Sequence, residues 1–304
     1  MKKLLAMVIT GAMAIGVLAG CSSEDAASVV SNADVSAVEK ELEKAASTIE
    51  AAIENAESSA EEATVVKAEG DTFTVGFDAE FPPYGYMDDN GEYVGFDLDL
   101  AEEVCARNGW VLEKRPIDWD SKDMELSSGT IDCIWSGFTI QGRENDYTWT
   151  VPYVDNSQVF VSKKSSEIAT QADLTGKVVG VQKDSSALAA LEGDSQALAA
   201  TFADMIQYAD YNTAFMDLET GAIDAVAMDI GVAAYQISSR GEEYVIMDEH
   251  LSAEQYGVGF MKGNDALKDQ VEKTLLEMAA DGKVAEIAQK YADFGMPDSV
   301  CLGK

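Results

Sequence analysis

One pattern of apolar and polar positions is written twice along the chain. Leu126-Ser-Ser-Gly129-Thr-Ile131-Asp132-Cys-Ile-Trp135-Ser136-Gly137 and Leu218-Glu-Thr-Gly221-Ala-Ile223-Asp224-Ala-Val-Ala-Met228-Asp229 agree in register residue for residue. In each copy a glycine ends a helical stretch as a left-handed C-cap. An Ile-Asp-apolar-apolar run then enters a short buried strand of a mostly parallel sheet. Upstream, Phe73-Thr-Val75-Gly-Phe77 alternates as a strand, and Gly95-Phe96-Asp97-Leu98-Asp99-Leu100 opens a helix. Asp97 is its expected N-cap, and Asp99 and Glu102 suit the positive helix end. A second αβ series starts at Gly176-Lys-Val-Val-Gly-Val181 and ends near Tyr256-Gly-Val-Gly-Phe260-Met261. The amphipathic spacing from Asp265 to Tyr291 predicts a last helix that returns to the first lobe. Two similar α/β lobes are therefore expected, residues 70–160 plus 259–304 and residues 161–258. Hinge crossings are expected near Val159-Phe160-Val161 and Val258-Gly259-Phe260.

Before Gly70 the pattern changes. From Ser22 to Glu69 the chain has no aromatic, proline, glycine or arginine, and twelve acidic residues face three lysines, so this stretch cannot build a core. Val35, Val38, Leu42, Ala45, Ile49, Ala52 and Ala56 step by three and four through it as a weak heptad, which reads as a helical or flexible stalk, residues 21–69, with a dimerising coiled coil as the lesser alternative. At the start, Lys2-Lys3 precedes an uncharged apolar stretch, Leu4 to Ala19, too short for a comfortable permanent span. It ends in Leu18-Ala19-Gly20-Cys21 and resembles the bacterial lipoprotein signal. That resemblance implies a signal peptide over residues 1–20, lipid on Cys21 and an extracytoplasmic, membrane-anchored mature chain.

Charge and cysteine content narrow the classes. At a formal charge of -34 over 304 residues the chain repels phosphate backbones, so no nucleic-acid partner is expected. With Cys21 lipidated, Cys105 and Cys133 read as small core hydrophobes and Cys301 as a free thiol or an optional bridging partner. No spacing suggests a zinc site, and the lone histidine, His250, falls in an acidic loop-like run. No metal, cofactor or catalytic residue is expected.

Six features converge on recognition of a small zwitterion. Gly137-Phe138-Thr139-Ile140-Gln141-Gly142-Arg143 follows the first repeat's strand and supplies a planar, permanent cation for a carboxylate, with Thr139 beside it. An isolated loop arginine is ordinarily just solvated. Val181-Gln182-Lys183-Asp184-Ser185-Ser186 runs from strand to helix, where N–H groups and the Ser185 hydroxyl can meet an anion or simply cap the helix. Asp229, at a strand's carboxyl end, can take an ammonium group. Asp78 with Phe81, Trp119, and the pair Ser136-Gly137 complete the set. Phe81 and Trp119 can wall a side chain while Asp78 bonds its tip.

These residues carry a resemblance. Asp78-Ala-Glu-Phe81-Pro-Pro-Tyr84, Gly95-Phe-Asp-Leu-Asp-Leu100, Ser128-Gly-Thr-Ile-Asp132, Gly137-Phe-Thr-Ile140 with Arg143, Pro152-Tyr153, and Gly180-Val-Gln182 with Ser185-Ser186 look like the polar amino-acid-binding proteins of bacterial ABC importers. The likeness is to the glutamine-, histidine- and lysine/arginine-binding group and covers nearly everything after Gly70. It implies a two-lobed, periplasmic-binding-protein-like (type II) α/β fold. Carried over, Arg143, Thr139, Ser185 and Ser186 hold an α-carboxylate, and Asp229, Gly137 and Thr139 hold the α-amino group. Asp78, Phe81, Trp119, Ser136, Gln182 and Glu80 surround the side chain. The family's four-residue Thr-x-Glu-Arg is shortened here to Gln141-Gly142-Arg143. Asp78 and Glu80, with no arginine beside them, favour a polar or cationic amino acid over an acidic one, although Lys183 is near. The implied function is that of a monomeric receptor that closes on an L-amino acid and delivers it to an ABC permease. The competing classes are an exported enzyme, since the fold resembles that of cyclohexadienyl dehydratases and lytic transglycosylases, and a surface amino-acid sensor.

Overall fold

The computed structural model describes residues 66–241 and 243–304. The expected signal segment, Cys21 and most of the stalk lie outside the described residues. Among those residues, no helix is long and apolar enough to cross a membrane.

In chain order the first elements are β1 (Thr72–Phe77), β2 (Glu80–Phe81), β3 (Gly85–Met87), β4 (Tyr93–Val94), α1 (Phe96–Asn108), β5 (Val111–Pro116), α2 (Lys122–Ser127), β6 (Cys133–Ile134) and β7 (Tyr147–Trp149). Then come β8 (Val154–Lys163), β9 (Val178–Gln182), α3 (Ser186–Glu192), α4 (Gln196–Ala199), β10 (Asp204–Tyr208), α5 (Tyr211–Thr220) and β11 (Ala225–Asp229). α6 (Ile230–Arg240), β12 (Tyr244–Ile246), β13 (Ser252–Tyr256), β14 (Gly259–Met261), α7 (Asp265–Ala280), α8 (Lys283–Gln289) and α9 (Met296–Ser299) follow.

One sheet has the order β5-β1-β6-β14-β7, with β1 parallel to β5 and β6 and with β14 antiparallel to its neighbours. The other has the order β10-β9-β11-β8-β12, with β13 also on β8; β9 runs parallel to β10 and β11, and β8 runs antiparallel to its partners. The sequence repeat is a structural repeat at atomic detail. Asp132 Oδ2 accepts from Thr74 N–H at 2.7 Å, and Asp224 Oδ2 accepts from Val178 N–H at 2.8 Å. Each aspartate thus satisfies a donor at the start of a central parallel strand that would otherwise lack a partner. One residue earlier, Ile131 and Ile223 lie so close over Gly76 and Gly180 that a Cβ there would sit 2.4 Å and 2.6 Å from their Cδ1 atoms. Both lobes are therefore built around a glycine that lets an isoleucine pack onto the central strand. Phe73, Val75 and Phe77 on β1 are fully buried, each contributing roughly 1.5–3 kcal/mol of burial.

Three local expectations give way. Gly95, not Asp97, is the N-cap of α1: at φ 142 a Cβ would lie 2.2 Å from the Tyr84 carbonyl oxygen, so only glycine fits. The stretch from Asp265 to Tyr291 is two helices, broken where Gly282 adopts φ 86. Asn108 Nδ2 donates to Thr274 Oγ1 at 2.8 Å, which ties α7 to α1. The backbone leaves the first sheet after Trp149 and returns between Tyr256 and Gly259, while Val159–Val161 lies inside β8. A short apolar run signals a buried strand but not the sheet to which it belongs.

Candidate ligand-binding site

Because β1 and β6 run parallel, their carboxyl ends open on one edge of the first sheet, and Asp78 and Ser136 lie at that edge. Open α/β sheets hold ligands at such edges. Asp78 N–H donates to the Ser136 hydroxyl oxygen at 3.0 Å. Its carboxylate accepts from Glu80 N–H at 2.9 Å and from Gln182 Nε2, on the second sheet, at 2.7 Å. Burial pushes the Asp78 carboxyl up to about 6. Gly137 then turns the chain at φ 52, where a Cβ would lie 2.6 Å from the Phe81 ring. Its N–H donates to Asp97 Oδ2 at 2.6 Å, and the Tyr153 hydroxyl donates to the same oxygen at 2.8 Å. Asp97 is thus a buried prop beneath the turn, its carboxyl lifted to about 7 by burial. What Gly137 can offer a ligand is its carbonyl oxygen.

The opposite wall comes from the ends of β9 and β11. After Gln182 the chain turns through Asp184 at φ 53, and Ser185 caps α3 by accepting from Leu188 N–H at 3.1 Å. Asp229 ends β11 and precedes α6, yet its carboxylate makes no cap bond. The register explains where it points instead. Asp229 lies opposite Gln158 on β8, and Glu254 on β13 lies opposite Asn156, two residues along on the same face of β8. Asp229 Oδ1 accepts from Asn156 Nδ2 at 2.8 Å, Gln158 Nε2 at 2.7 Å and the Tyr256 hydroxyl at 2.5 Å. Burial, then the neighbouring Glu254 carboxylate, raise the Asp229 carboxyl. Glu254 Oε1 accepts from the same two amides and from Thr139 Oγ1 at 2.8 Å.

Between these walls lies a narrow, nearly closed slit lined by Phe81, Trp119, Ser136, Gly137, Thr139, Gln182, Ser185, Ser186 and Asp229. Nine of the residues singled out in the sequence therefore meet in one place. Arg143 stands at the rim, lining a groove that shares Ser185 and Ser186 with the slit. Its guanidinium donates to Ser186 Oγ and to the Asp184 carbonyl, each at 3.0 Å, so the shortened turn still reaches the second lobe. Asp78 sits behind Gln182. Glu80 is not brought in: it is exposed, bonded to Asn212, and lines a separate pocket with Tyr86 and Tyr235. Adjacent strand residues face opposite ways, and on β2 the inward place belongs to Phe81.

Several residues escaped the sequence reading. Glu254 is the most consequential, and its signal was an acid in step with Tyr256 on the inward side of a strand. Tyr84, Tyr211 and Tyr256 form an aromatic wall beside Phe81, and Tyr84 approaches α6 so closely that a Cβ on Gly231 would lie 2.5 Å from its hydroxyl. Lys122, only 1 % exposed, pairs with Asp184 across the cleft. Cys105 and Cys133 are buried free thiols and Cys301 is half-buried and free.

A cleft between two α/β lobes, closed at one side by paired crossing segments, defines a two-lobed binding protein of the type II periplasmic kind. Residues 73–295 match the model of the bacterial extracellular solute-binding proteins, family 3, and the chain belongs to that family. It is 29% identical over 229 residues to the L-cystine-binding protein TcyJ of Escherichia coli (strain K12), covering 74% of this chain and 84% of the relative. Among solved structures it resembles an ABC uptake transporter substrate binding protein from Streptococcus pneumoniae with bound histidine. That likeness has 36% identity and a TM-score of 0.70 and covers 72% of this chain and 92% of the other. An ancestral arginine-binding protein bound to arginine is similar at 34% identity and a TM-score of 0.67, over 72% and 97% of the two chains.

Proposed function

We propose that the protein is an extracytoplasmic receptor, lipid-anchored through Cys21, that closes its two lobes on one L-amino acid and delivers it to an ABC importer without transforming it. The observation that carries the reading is the interlobe cavity, with an acid at one end and a cation at its rim. Asp229 spends Oδ1 on protein donors, and Oδ2 has no protein partner among the described residues, so it can accept from an ammonium. Arg143 can exchange its bonds to Ser186 Oγ and the Asp184 carbonyl for a bidentate grip on a carboxylate. Phe81 and Trp119 then flank the side chain. With Gln182 and the buried Asp78 beyond them, a polar or cationic side chain fits better than an acidic one. The cystine, histidine and arginine named for the relatives above agree with that chemistry.

A thermal melt against the common amino acids tests the reading. Ligand at about 100 times its dissociation constant adds about 2.7 kcal/mol, which in a protein of this size raises the melting temperature by roughly 5–10 °C. A shift with one or a few α-amino acids, each recovered unchanged afterwards, is expected. A cooperative melt that no amino acid moves would overturn it.

A further inference from the structure

Behind Asp229 lies a buried polar cluster. The two amide nitrogens of Asn156 and Gln158 each reach both Asp229 Oδ1 and Glu254 Oε1 at 2.7–2.8 Å, so the two acids approach within about 5.5 Å of each other. Asn156, Gln158, Asp229 and Glu254 are all more than nine-tenths buried. Spending their donors this way leaves Asn156 Oδ1 and Gln158 Oε1 buried with no hydrogen-bond partner. The two acids therefore draw both amide groups, and no Lys or Arg of the described residues forms an ion pair with either. Close, desolvated like charges do not both ionise readily.

We infer that Asp229, held beside Glu254 by the shared Asn156 and Gln158 amides, carries a proton in the empty receptor that an entering ligand ammonium displaces, with Glu254 acting as a positioning residue behind Asp229. This rests on the proposed amino-acid reading of the site. The exchange balances: the pair goes from one negative charge to two, the ammonium brings one positive charge, and one proton passes to solvent. The groups that face the pair are consistent with it. Tyr84, Tyr211 and Tyr256 are phenols pushed well above their usual range by burial, so they stay neutral, and Tyr256 donates to Asp229. Arg143 lines a groove that it shares with Glu254, and it bonds the Thr139 carbonyl, Ser186 Oγ and the Asp184 carbonyl rather than either acid. A neutral ligand nitrogen gains nothing from this arrangement, so the pair selects for a charged amine.

Calorimetric titration with L-arginine, L-glutamine and L-cystine, in two buffers of different ionisation enthalpy, reads the exchange directly. At pH 6.5 about one proton is released per bound amino acid, and the release falls towards zero at pH 8. In Glu254→Gln, the release at pH 6.5 drops by at least about half because Asp229 loses its like-charged neighbour. Binding with no proton release in the wild type, or release unchanged in the variant, overturns the pair while leaving the proposed function intact. If none of the three amino acids binds, the amino-acid reading is what fails. The pair is then decided by acid–base titration of the ligand-free protein against Glu254→Gln: a carboxyl titrating near neutrality in the wild type alone supports it, and its absence overturns it. The wild-type release needs no variant, so a misfolded Glu254→Gln does not shield the inference.

Discussion

Asp229 and Arg143 do different work at the level of single side chains, and their variants should fail differently. Asp229 is fully enclosed, and removing one partner of a buried charge pair typically costs about 2–5 kcal/mol. Asp229→Asn keeps an acceptor for Tyr256 but loses the charge, so affinity for the amino acid found in the melt should fall by roughly 100-fold or more, read by calorimetry. Arg143→Ala removes a rim cation that is already bonded to the second lobe, so it should lower affinity and also loosen closure. Near wild-type affinity in either variant would show that the acid or the cation is not at the ligand's poles. Much of this was legible in the chain. Gly137 and Asp229 occupy the same place in the two repeats, which marks both as strand ends facing the cleft. Glu254 was not legible, because an acid in a short strand ordinarily faces solvent. It was the register of β13 on β8, a long-range property, that turned it inward.

Elements carry a pH dependence that runs against habit. Asp97, on the first turn of α1, is completely buried and holds the Gly137 turn and Tyr153, and its carboxyl is raised from 3.8 to about 7. An acid whose folded value is raised binds its proton more tightly in the native state. Its contribution to stability is thus fully present below about 3.8 and is lost as pH rises through about 7. Asp78 adds to the same trend up to about 6. The ligand-free protein should therefore melt higher at pH 5.5 than at pH 8. Asp97→Asn, which keeps an acceptor for the Gly137 N–H, should flatten that slope by up to about 1 kcal/mol per pH unit. A slope unchanged in Asp97→Asn would remove Asp97 as its source. The helix itself was legible from its apolar spacing, but the task of Asp97 was not. Sequence shows an acid near a helix start, and only the packing of α1 under the Gly137 turn shows that the carboxylate serves a different element.

For the whole molecule the question is what holds the lobes together when no amino acid bridges them. Among the described residues the backbone crosses between the two sheets before β8 and after β13, and the cleft is spanned by Gln182 to Asp78, Arg143 to Ser186, Trp119 Nε1 to the Asp184 carbonyl at 3.2 Å, and Lys122 to Asp184. Asp184 takes three of its partners from the first lobe while sitting at φ 53, a left-handed turn that aspartate adopts more readily than most side chains. The Lys122 ammonium is the costliest group at this latch. Its side chain is 2 % exposed with the partner carboxylate 52 % exposed, so opening the cleft rehydrates a charge that closure had desolvated. Two terms oppose each other here, the ion pair favouring closure and the buried ammonium favouring opening, and the cation lying 4.9 Å over the Trp119 ring adds to the first. Partnered on one side by Asp184 and on the other by Trp119, the ammonium should come out as a net brace. A ligand's apparent affinity scales with the fraction of receptor already able to close. Lys122→Met, matched in length and apolar, should therefore widen the interlobe distance distribution of the empty protein, measured between spin labels on exposed sites of the two lobes. It should also speed amino-acid dissociation by several-fold while leaving association nearly unchanged. A distance distribution and dissociation rate both equal to wild type would mean that the Lys122–Asp184 bridge only decorates a closure driven elsewhere, such as by the ligand grip proposed for Asp229 and Arg143.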